Sequence, residues 1–214
     1  MIVTARNEAD RLADTLRAVR AAFPDADLVV ADDASRDATA HVALQEGARL
    51  VRAPRRLGKG GAATLAAQQV DTPGVVVLAD GDLGASAREL ATLVHALDEA
   101  DVAIAGFSRP VGGGFGIALR TSRWATERAG GPQLAAPLSG QRALRREALR
   151  ALLPFAAGFG METGMNIDAA RAGLRIAEVE LDLEHRATGR TLSGFVHRGR
   201  QMRDILRAYA SRRA

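Results

Sequence analysis

Residues 75–82 read Val-Val-Val-Leu-Ala-Asp-Gly-Asp, an apolar run that ends in two carboxylates two positions apart. Four consecutive large apolar side chains are typical of a strand that is buried on both faces of a sheet. Two neighbouring carboxylates repel each other unless a cation lies between them or their pKa values rise. The stretch therefore predicts a buried strand whose end holds Mg²⁺ or Mn²⁺, with a turn of two solvated aspartates as the plain structural alternative.

Strand-like and helical segments alternate along the first half of the chain. The strand-like segments are 2–5, 27–31, 48–52, 75–78 and 102–105, and helical periodicity covers 8–23, 37–46, 60–70 and 86–100. Gly47 is expected to end the second helix and Ser86 to cap the fourth. Such alternation predicts an α/β fold, in which a mostly parallel, Rossmann-like sheet carries helices on both faces.

The second half of the chain is less regular. Its expected helices are 116–129, 147–153, 162–172 and 192–209, and its expected strands are 141–145 and 175–183. A glycine-rich stretch at 111–116 predicts a loop between the two halves. Since no repeat, low-complexity tract or linker interrupts the pattern, we expect residues 1–214 to form one domain.

Composition restricts the partners and the chemistry. The chain has no cysteine, which excludes disulfides, a thiol nucleophile and thiolate metal sites. Its formal net charge of +4 indicates an anionic partner, but an aromatic content of 4% provides few rings for stacking on nucleic-acid bases. We see no signal peptide and no apolar run near the ~20 residues of a membrane span. A cytoplasmic protein that binds no nucleic acid is therefore expected.

Polar motifs follow the predicted strands, where ligands of parallel sheets bind. Asp33 is placed to accept hydrogen bonds from a nucleotide, or else belongs to a helix entry that Ser35 or Asp37 caps. Gly58 and Lys59 lie in a glycine-rich turn before a helix, a position that suits phosphate. A flexible loop with an exposed lysine explains the same residues without a ligand.

Two positions late in the chain have a functional and a structural explanation. His185 follows a predicted strand, where it either ligates a metal beside the aspartate pair or lies on the surface. Glu162 opens a helix after a glycine-rich turn, and the helix dipole alone favours a carboxylate there.

The last predicted helix is basic and amphipathic. Its arginines are Arg198, Arg200, Arg203 and Arg207. Such a helix suits a lipid phosphate or an anionic membrane, in which case the protein would lie peripherally on the inner membrane face. A C-terminal helix that packs on the sheet and keeps a solvated basic face is the alternative.

The ordered set of motifs resembles family 2 glycosyltransferases of the GT-A fold over nearly the whole chain. Residues 4–8, Thr-Ala-Arg-Asn-Glu, resemble the Pro-Ala-x-Asn-Glu at the start of that family, and residues 32–37 resemble its Asp-Asp-Gly-Ser-x-Asp. The Gly-Lys-Gly at 58–60 and the Asp-Gly-Asp at 80–82 follow in the family's order. The resemblance implies metal-dependent transfer of a hexose from a nucleotide-diphosphate sugar.

A more specific pattern is similar to glucosyl-3-phosphoglycerate synthases and mannosylglycerate-type enzymes, and it favours UDP-glucose as donor. It adds Pro-Leu-Ser-Gly at 137–140, Gly-Phe-Gly-Met-Glu at 158–162 and the late His185. By this resemblance, one group of residues lines the nucleotide and the diphosphate: Ala5, Arg6, Glu8, Asp33, Gly58, Lys59, Asp80 and Gly81. A second group would hold Mg²⁺ or Mn²⁺: Asp80, Asp82 and His185.

The same resemblance assigns catalysis to Asp82 and Glu162, with Glu162 facing the sugar or the acceptor. If the enzyme inverts configuration, Glu162 would be the general base on the acceptor hydroxyl. If the enzyme retains configuration, Glu162 would orient the acceptor or the donor sugar. Residues 1–106 would form the nucleotide-sugar-binding half, and residues 107–214 the acceptor-binding half with the C-terminal helix.

The acceptor and two other functions stay open at this stage. The Gly-Arg-Val-Thr of the phosphoglycerate enzymes is replaced by Gly-Phe-Gly-Ile at 114–117, so a small phosphorylated acid, a polyprenyl phosphate and an envelope glycan all remain. A nucleotidyltransferase that makes nucleotide sugars would need a glycine-rich loop where residues 5–8 lie. The other alternative is a non-catalytic nucleotide-sugar-binding module, and either a monomer or a homodimer fits.

Overall fold

A computed structural model of the chain describes residues 1–70, 74–107, 116–183 and 192–212. The strands are β1 Ile2–Ala5, β2 Val29–Asp32, β3 Arg49–Arg52, β4 Val75–Asp80, β5 Val102–Phe107, β6 Arg142–Arg145 and β7 Ile176–Leu181. The α-helices are α1 Leu12–Ala22, α2 Thr39–Gln45, α3 Lys59–Ala67, α4 Ala91–His95, α5 Ile117–Arg128, α6 Arg146–Leu152, α7 Met161–Arg171 and α8 Leu192–Ala210. Short 3₁₀ helices cover Gly84–Leu90, Ala96–Asp98 and Gly158–Gly160.

All seven of these strands form one sheet, in the order β3-β2-β1-β4-β6-β5-β7. β6 runs antiparallel to β4 and β5, whereas the other neighbours are parallel. The predicted α/β fold with a mostly parallel sheet and flanking helices is therefore confirmed. Thr4 of β1 pairs in register with Asp80 of β4, which brings the carboxyl ends of these central strands to one edge.

The two faces of the sheet bury two separate cores because successive side chains of a strand point to opposite faces. Val3 and Val30 belong to the core under α1 and the 3₁₀ helix Gly84–Leu90. Ile2 and Val29 belong to the core under α3, α6 and α7. The fully buried side chains that α3 adds to that core are all alanines, with Leu65 packed at its edge, so this helix approaches the sheet closely and its N-terminus reaches the strand ends.

The segment after β4 differs from the expected continuous helix over 86–100. It is divided into 3₁₀, α and 3₁₀ turns, and the first begins at Gly84, two residues early. Gly84 N–H donates to the hydroxyl of Thr15 in α1, which fixes the start of the segment there. The prediction that Ser86 caps this helix is wrong, because Ser86 lies inside the turn and its hydroxyl donates to the carbonyl of Leu83.

Other local predictions are confirmed or fall outside the described residues. Gly47 ends α2 with a left-handed φ of 69°, as a terminating glycine does. Residues 111–115 of the predicted loop at 111–116 lie outside the described residues, as does His185. No helix in the described ranges is both long enough and apolar enough to cross a bilayer.

Candidate functional site

The carboxyl ends of β1, β2 and β4 open into a cavity of about 1190 Å³. The walls come from the turn before α3, from the turn at 156–159 and from the last helix, α8. Pockets for drug-sized ligands have roughly 300–1,000 Å³, so this cavity holds a ligand of at least that size. It lies where ligands of parallel α/β sheets bind.

Ten of the eleven site residues predicted from the sequence line this cavity. They are Ala5, Arg6, Glu8, Asp33, Gly58, Lys59, Asp80, Gly81, Asp82 and Glu162. The eleventh, His185, lies outside the described residues, so its predicted metal contact stays a prediction. These residues come from segments more than 150 positions apart, and the fold brings them to one place.

Lys59 lies at the centre of the site, at the first turn of α3. Its Nζ is 2.7 Å from Asp80 Oδ1 and 2.8 Å from Glu162 Oε1. The side chain of Lys59 is 22% exposed, that of Asp80 30% and that of Glu162 9%. Burial alone would lower the pKa of Lys59, but the charges of Asp80 and Glu162 outweigh it and hold that pKa above its usual value. One cation is thus shared between two carboxylates.

Asp80 is fixed by three donors. Its Oδ1 accepts from Lys59 and, at 3.0 Å, from the hydroxyl of Thr4, and its Oδ2 accepts from Gln141 Nε2 at 2.8 Å. Burial acts to raise the pKa of Asp80, but Lys59 and these hydrogen bonds outweigh it and hold that pKa below its usual value. Asp80 is therefore an ionised acceptor whose two oxygens are both held by the protein.

Asp82 is the second carboxylate of the pair and lines the cavity two residues further on. A cation bound here would take Asp82 together with phosphate oxygens of a ligand, as Mg²⁺ commonly does. Within the ranges that the structure describes, no three His, Cys, Asp or Glu side chains form a complete metal cluster. The oxygen donors present thus fit a hard divalent cation that a phosphorylated ligand helps to hold.

Gly140 is packed directly against the lysine. A Cβ at this position would lie 2.0 Å from Lys59 Nζ and 2.9 Å from Asp80 Oδ2. The turn that carries Gly140 is held from below by Arg142, which donates to the carbonyls of Ser139 and Pro137. Arg142 is 1% exposed, and burial lowers its pKa to about 10.

Replacement of Gly140 by alanine is expected to lower the free energy of unfolding by about 1–3 kcal/mol, the usual cost of overpacking. The added methyl group must displace either the lysine or the strand end that carries Asp80. Urea denaturation measures the change. Gly74→Ala is the matched control, because a Cβ at Gly74 meets no atom within 4 Å. Equal stability of the two variants would contradict the close packing of Gly140 on Lys59.

Asp33 shapes the turn before Lys59. Its carboxylate accepts from the backbone N–H of Leu57 at 2.6 Å and from that of Gly58 at 3.0 Å. These contacts make Asp33 an anchor of the turn, and since it also lines the cavity, its predicted contact with the nucleotide stays a prediction. An anchored turn holds the start of α3, and hence Lys59, in place.

The ends of β1 and β2 are tied together at the cavity mouth. Asn7 adopts a left-handed φ of 54°, and its side-chain oxygen accepts from Arg36 N–H at 2.9 Å. The N–H of Asn7 donates to the Ser35 hydroxyl at 3.0 Å. Beside this link, Arg6 Nε is buried and finds no hydrogen-bond acceptor in the described part of the chain. A buried guanidinium donor at the wall of a cavity suits an anionic ligand.

The last helix forms the remaining wall. A Cβ on Gly160 would lie 2.6 Å from the carbonyl oxygen of Asp204, so glycine allows α8 to contact the 3₁₀ turn before Glu162. Arg212 of the segment after α8 pairs with Asp168 of α7 at 2.7 Å. Held in this way, α8 presents four polar side chains to the cavity: Gln201, Arg203, Asp204 and Arg207.

Several residues that build the site were not predicted from the sequence. Thr4 and Gln141 hold Asp80, and Arg142 holds the turn of Gly140. One signal was available for the centre of the site, since Lys59 is the only lysine among the 29 lysine and arginine residues. A chain that uses arginine everywhere else has a specific requirement for lysine at that position.

Known proteins share both the sequence pattern and the fold. Residues 1–153 match the model of glycosyl transferase family 2. The chain is similar to the undecaprenyl-phosphate mannosyltransferase of Micrococcus luteus, with 32% identity over 206 residues that cover 88% of this chain and 84% of the relative.

The structure is also similar to two complexes of glucosyl-3-phosphoglycerate synthase from Mycobacterium tuberculosis. The complex with Mn²⁺, UDP-glucose and phosphoglyceric acid gives a TM-score of 0.78 at 27% identity, covering 99% of this chain and 78% of that one. The complex with Mg²⁺ and UDP gives 0.79 at 28% identity, covering 99% and 77%.

Proposed function

The chain belongs to glycosyl transferase family 2, and on that premise we propose that it transfers a hexose from a nucleoside-diphosphate sugar to a phosphorylated acceptor. The observation that carries this proposal is the position of Lys59 between Asp80 and Glu162 in a cavity that Asp82 also lines. Family membership favours this function over the nucleotidyltransferase and the non-catalytic module that the sequence left open.

We assign the donor diphosphate to the strand ends around Lys59 and Arg6. Glycosyl transfer leaves negative charge on the departing nucleoside diphosphate, and fixed cationic groups stabilise that charge in a dry site. Lys59 is oriented by its two carboxylate partners before any ligand binds. Arg6, which also lines the cavity, offers its buried Nε–H.

We propose that Asp82 holds Mn²⁺ or Mg²⁺ together with the donor phosphates, and that His185 joins it. The cation acts as a Lewis acid on the departing diphosphate. Both ions occur with UDP in complexes of the glucosyl-3-phosphoglycerate synthase, and UDP-glucose occurs with Mn²⁺, so UDP-glucose is the first donor to test. Asp80 positions Lys59 through Oδ1, which also accepts from Thr4, and its predicted contact with the metal stays a prediction.

We propose that Glu162 acts on the sugar or on the acceptor. Its Oε1 lies 2.8 Å from Lys59 Nζ, so the carboxylate stays oriented within the cavity. A phosphate on the acceptor is supported by Arg203 and Arg207, which line the cavity on the α8 side. It is also supported by the names of the compared proteins, in which the acceptors are undecaprenyl phosphate and phosphoglyceric acid.

Calorimetric titration of the wild-type protein with UDP, GDP and their sugars, each with and without Mn²⁺, tests the proposed donor site. We expect one nucleotide to bind at least about tenfold more tightly with Mn²⁺, since the cation would bridge Asp82 and the diphosphate. Mn²⁺ without nucleotide is the control and should bind weakly. Failure of every nucleotide to bind would contradict the proposed function.

A further inference from the structure

An apolar stripe runs across the outer surface of α5 and α8. Ile117 and Trp124 of α5 are 54% and 48% exposed, and Leu206 of α8 is 48% exposed. The rings of Trp124 and Tyr209 have centroids 4.8 Å apart, which joins the two helices at this surface. Ile117 precedes Trp124 by seven residues and Leu206 precedes Tyr209 by three, so each pair lies on one helix face. We call this the α5–α8 face.

Basic side chains surround this stripe. Arg120 and Arg128 of α5 are exposed, as are Arg203 and Arg207 of α8. Glu127 is the one exposed carboxylate among the described residues of these two helices. The face therefore combines large apolar groups at its centre with an excess of positive charge at its rim.

We propose that the α5–α8 face docks on an anionic lipid bilayer. Amphipathic surfaces with tryptophan and leucine on one side and arginine around them bind at membrane interfaces, where the apolar groups enter the headgroup layer. Basic residues add electrostatic attraction to anionic lipids. This goes beyond a basic C-terminal helix alone, because α5 supplies Trp124, Ile117 and two of the arginines.

A second copy of the chain fits this face less well. A two-fold interface places the same patch of both subunits together. The four rim arginines would then face the four rim arginines of the other copy. Glu127 and Asp204, the second of which pairs with Arg203 at 3.4 Å, would not balance them. An anionic lipid surface complements the same charges directly.

Docking through this face also places the acceptor. Arg203 and Arg207 belong both to the rim of the face and to the wall of the cavity. A phosphate at the bilayer surface would therefore meet these guanidinium groups on its way to Glu162. Resting on the proposed function, the inference identifies the acceptor as a lipid-borne phosphate rather than a freely diffusing one.

The chain contains a single tryptophan, so the tryptophan fluorescence of the wild-type protein reports on Trp124 of this face alone. Vesicles of phosphatidylglycerol and phosphatidylcholine, added at ~0.03 M salt, should shift the Trp124 emission to shorter wavelength. Raising the salt to ~0.5 M shortens the Debye length about fourfold and should therefore reduce the shift. Pure phosphatidylcholine vesicles should bind more weakly. Absence of any shift or co-sedimentation with anionic vesicles at low salt would overturn the inference.

Variants separate the two components of the face. Ile117→Gln with Leu206→Gln removes apolar groups, and Arg120→Gln with Arg128→Gln removes charge at positions that do not line the cavity. We expect co-sedimentation to weaken by roughly fivefold for each arginine lost. Leu44→Gln is the control, since Leu44 is 58% exposed on α2, away from this face. If vesicle binding fell equally in the two double variants and in the Leu44→Gln control, docking through the α5–α8 face would be contradicted.

Two further measurements distinguish membrane docking from dimerisation through the same face and from the proposed donor binding. Sedimentation that shows a dimer, dissociated by Ile117→Gln with Leu206→Gln, would assign the face to a second copy instead. Calorimetric donor binding, measured in the same variants, should stay at the wild-type level. Normal donor binding without vesicle binding would reject only the docking, whereas vesicle binding without any nucleotide binding would reject only the proposed function.

Discussion

Replacement of Lys59 by methionine is expected to lower kcat/KM by about 10²–10³-fold, the usual effect of losing one preorganised charge-stabilising donor. The variant keeps the length of the side chain but leaves Asp80 and Glu162 facing each other without the cation that separates them. Removing one member of a buried ion pair also destabilises the fold, here by about 3 kcal/mol because the group is partly exposed. Steady-state kinetics and urea denaturation measure the two effects.

Lys59→Arg is the matched variant for Lys59→Met, because it retains the positive charge. An ammonium group fits the space beside Gly140, whereas the planar guanidinium fork needs more room and a different set of acceptors. We expect Lys59→Arg to lose most of the activity as well. Wild-type activity in Lys59→Arg would show that charge alone suffices and that the close packing of Gly140 on the lysine does not matter.

Replacement of Asp82 by asparagine is expected to remove the Mn²⁺-dependent part of donor binding and to lower kcat by about 10²–10³-fold, as loss of one charge-stabilising group does. Asparagine keeps the shape of the side chain and loses the charge that a divalent cation requires of its ligand. Titration of UDP with and without Mn²⁺ gives the binding effect without relying on turnover. The affinity for UDP without Mn²⁺ should stay near that of the wild type, and the increase in UDP affinity that Mn²⁺ produces should disappear.

Asp98→Asn is the control for that experiment, since Asp98 is an exposed aspartate in the 3₁₀ turn after α4. It should leave both titrations unchanged. Persistence of the full Mn²⁺ increment in Asp82→Asn would place the cation elsewhere and would return Asp80 to consideration as a ligand.

The sequence predicted the sheet well because its strands are short, apolar and separated by clear helical periodicity. It also predicted which segments meet, since carboxyl ends of parallel strands share one edge. It could not predict what Asp33 contacts, because the partners are backbone N–H groups of Leu57 and Gly58, which no residue pattern identifies. The same holds for Gln141, whose position beside Asp80 depends on the antiparallel insertion of β6.

The wrong prediction for Ser86 has a similar origin. A serine followed by glutamate three positions later is a good capping pattern in isolation. In the folded chain, Thr15 of α1 captures Gly84 N–H first and starts the helical segment two residues earlier. A tertiary hydrogen bond thus overrides a local signal, and the sequence around Ser86 contains no sign of it.

The solitary lysine also has a practical consequence for chemical probing. Amine acylation needs an uncharged, accessible nitrogen, and the ε-amine of Lys59 is both partly covered and held protonated by a raised pKa. Reagents that modify lysines on most protein surfaces therefore find a single, unreactive ε-amine in this chain. Any gain in its labelling would report directly that the contact with Asp80 and Glu162 has opened.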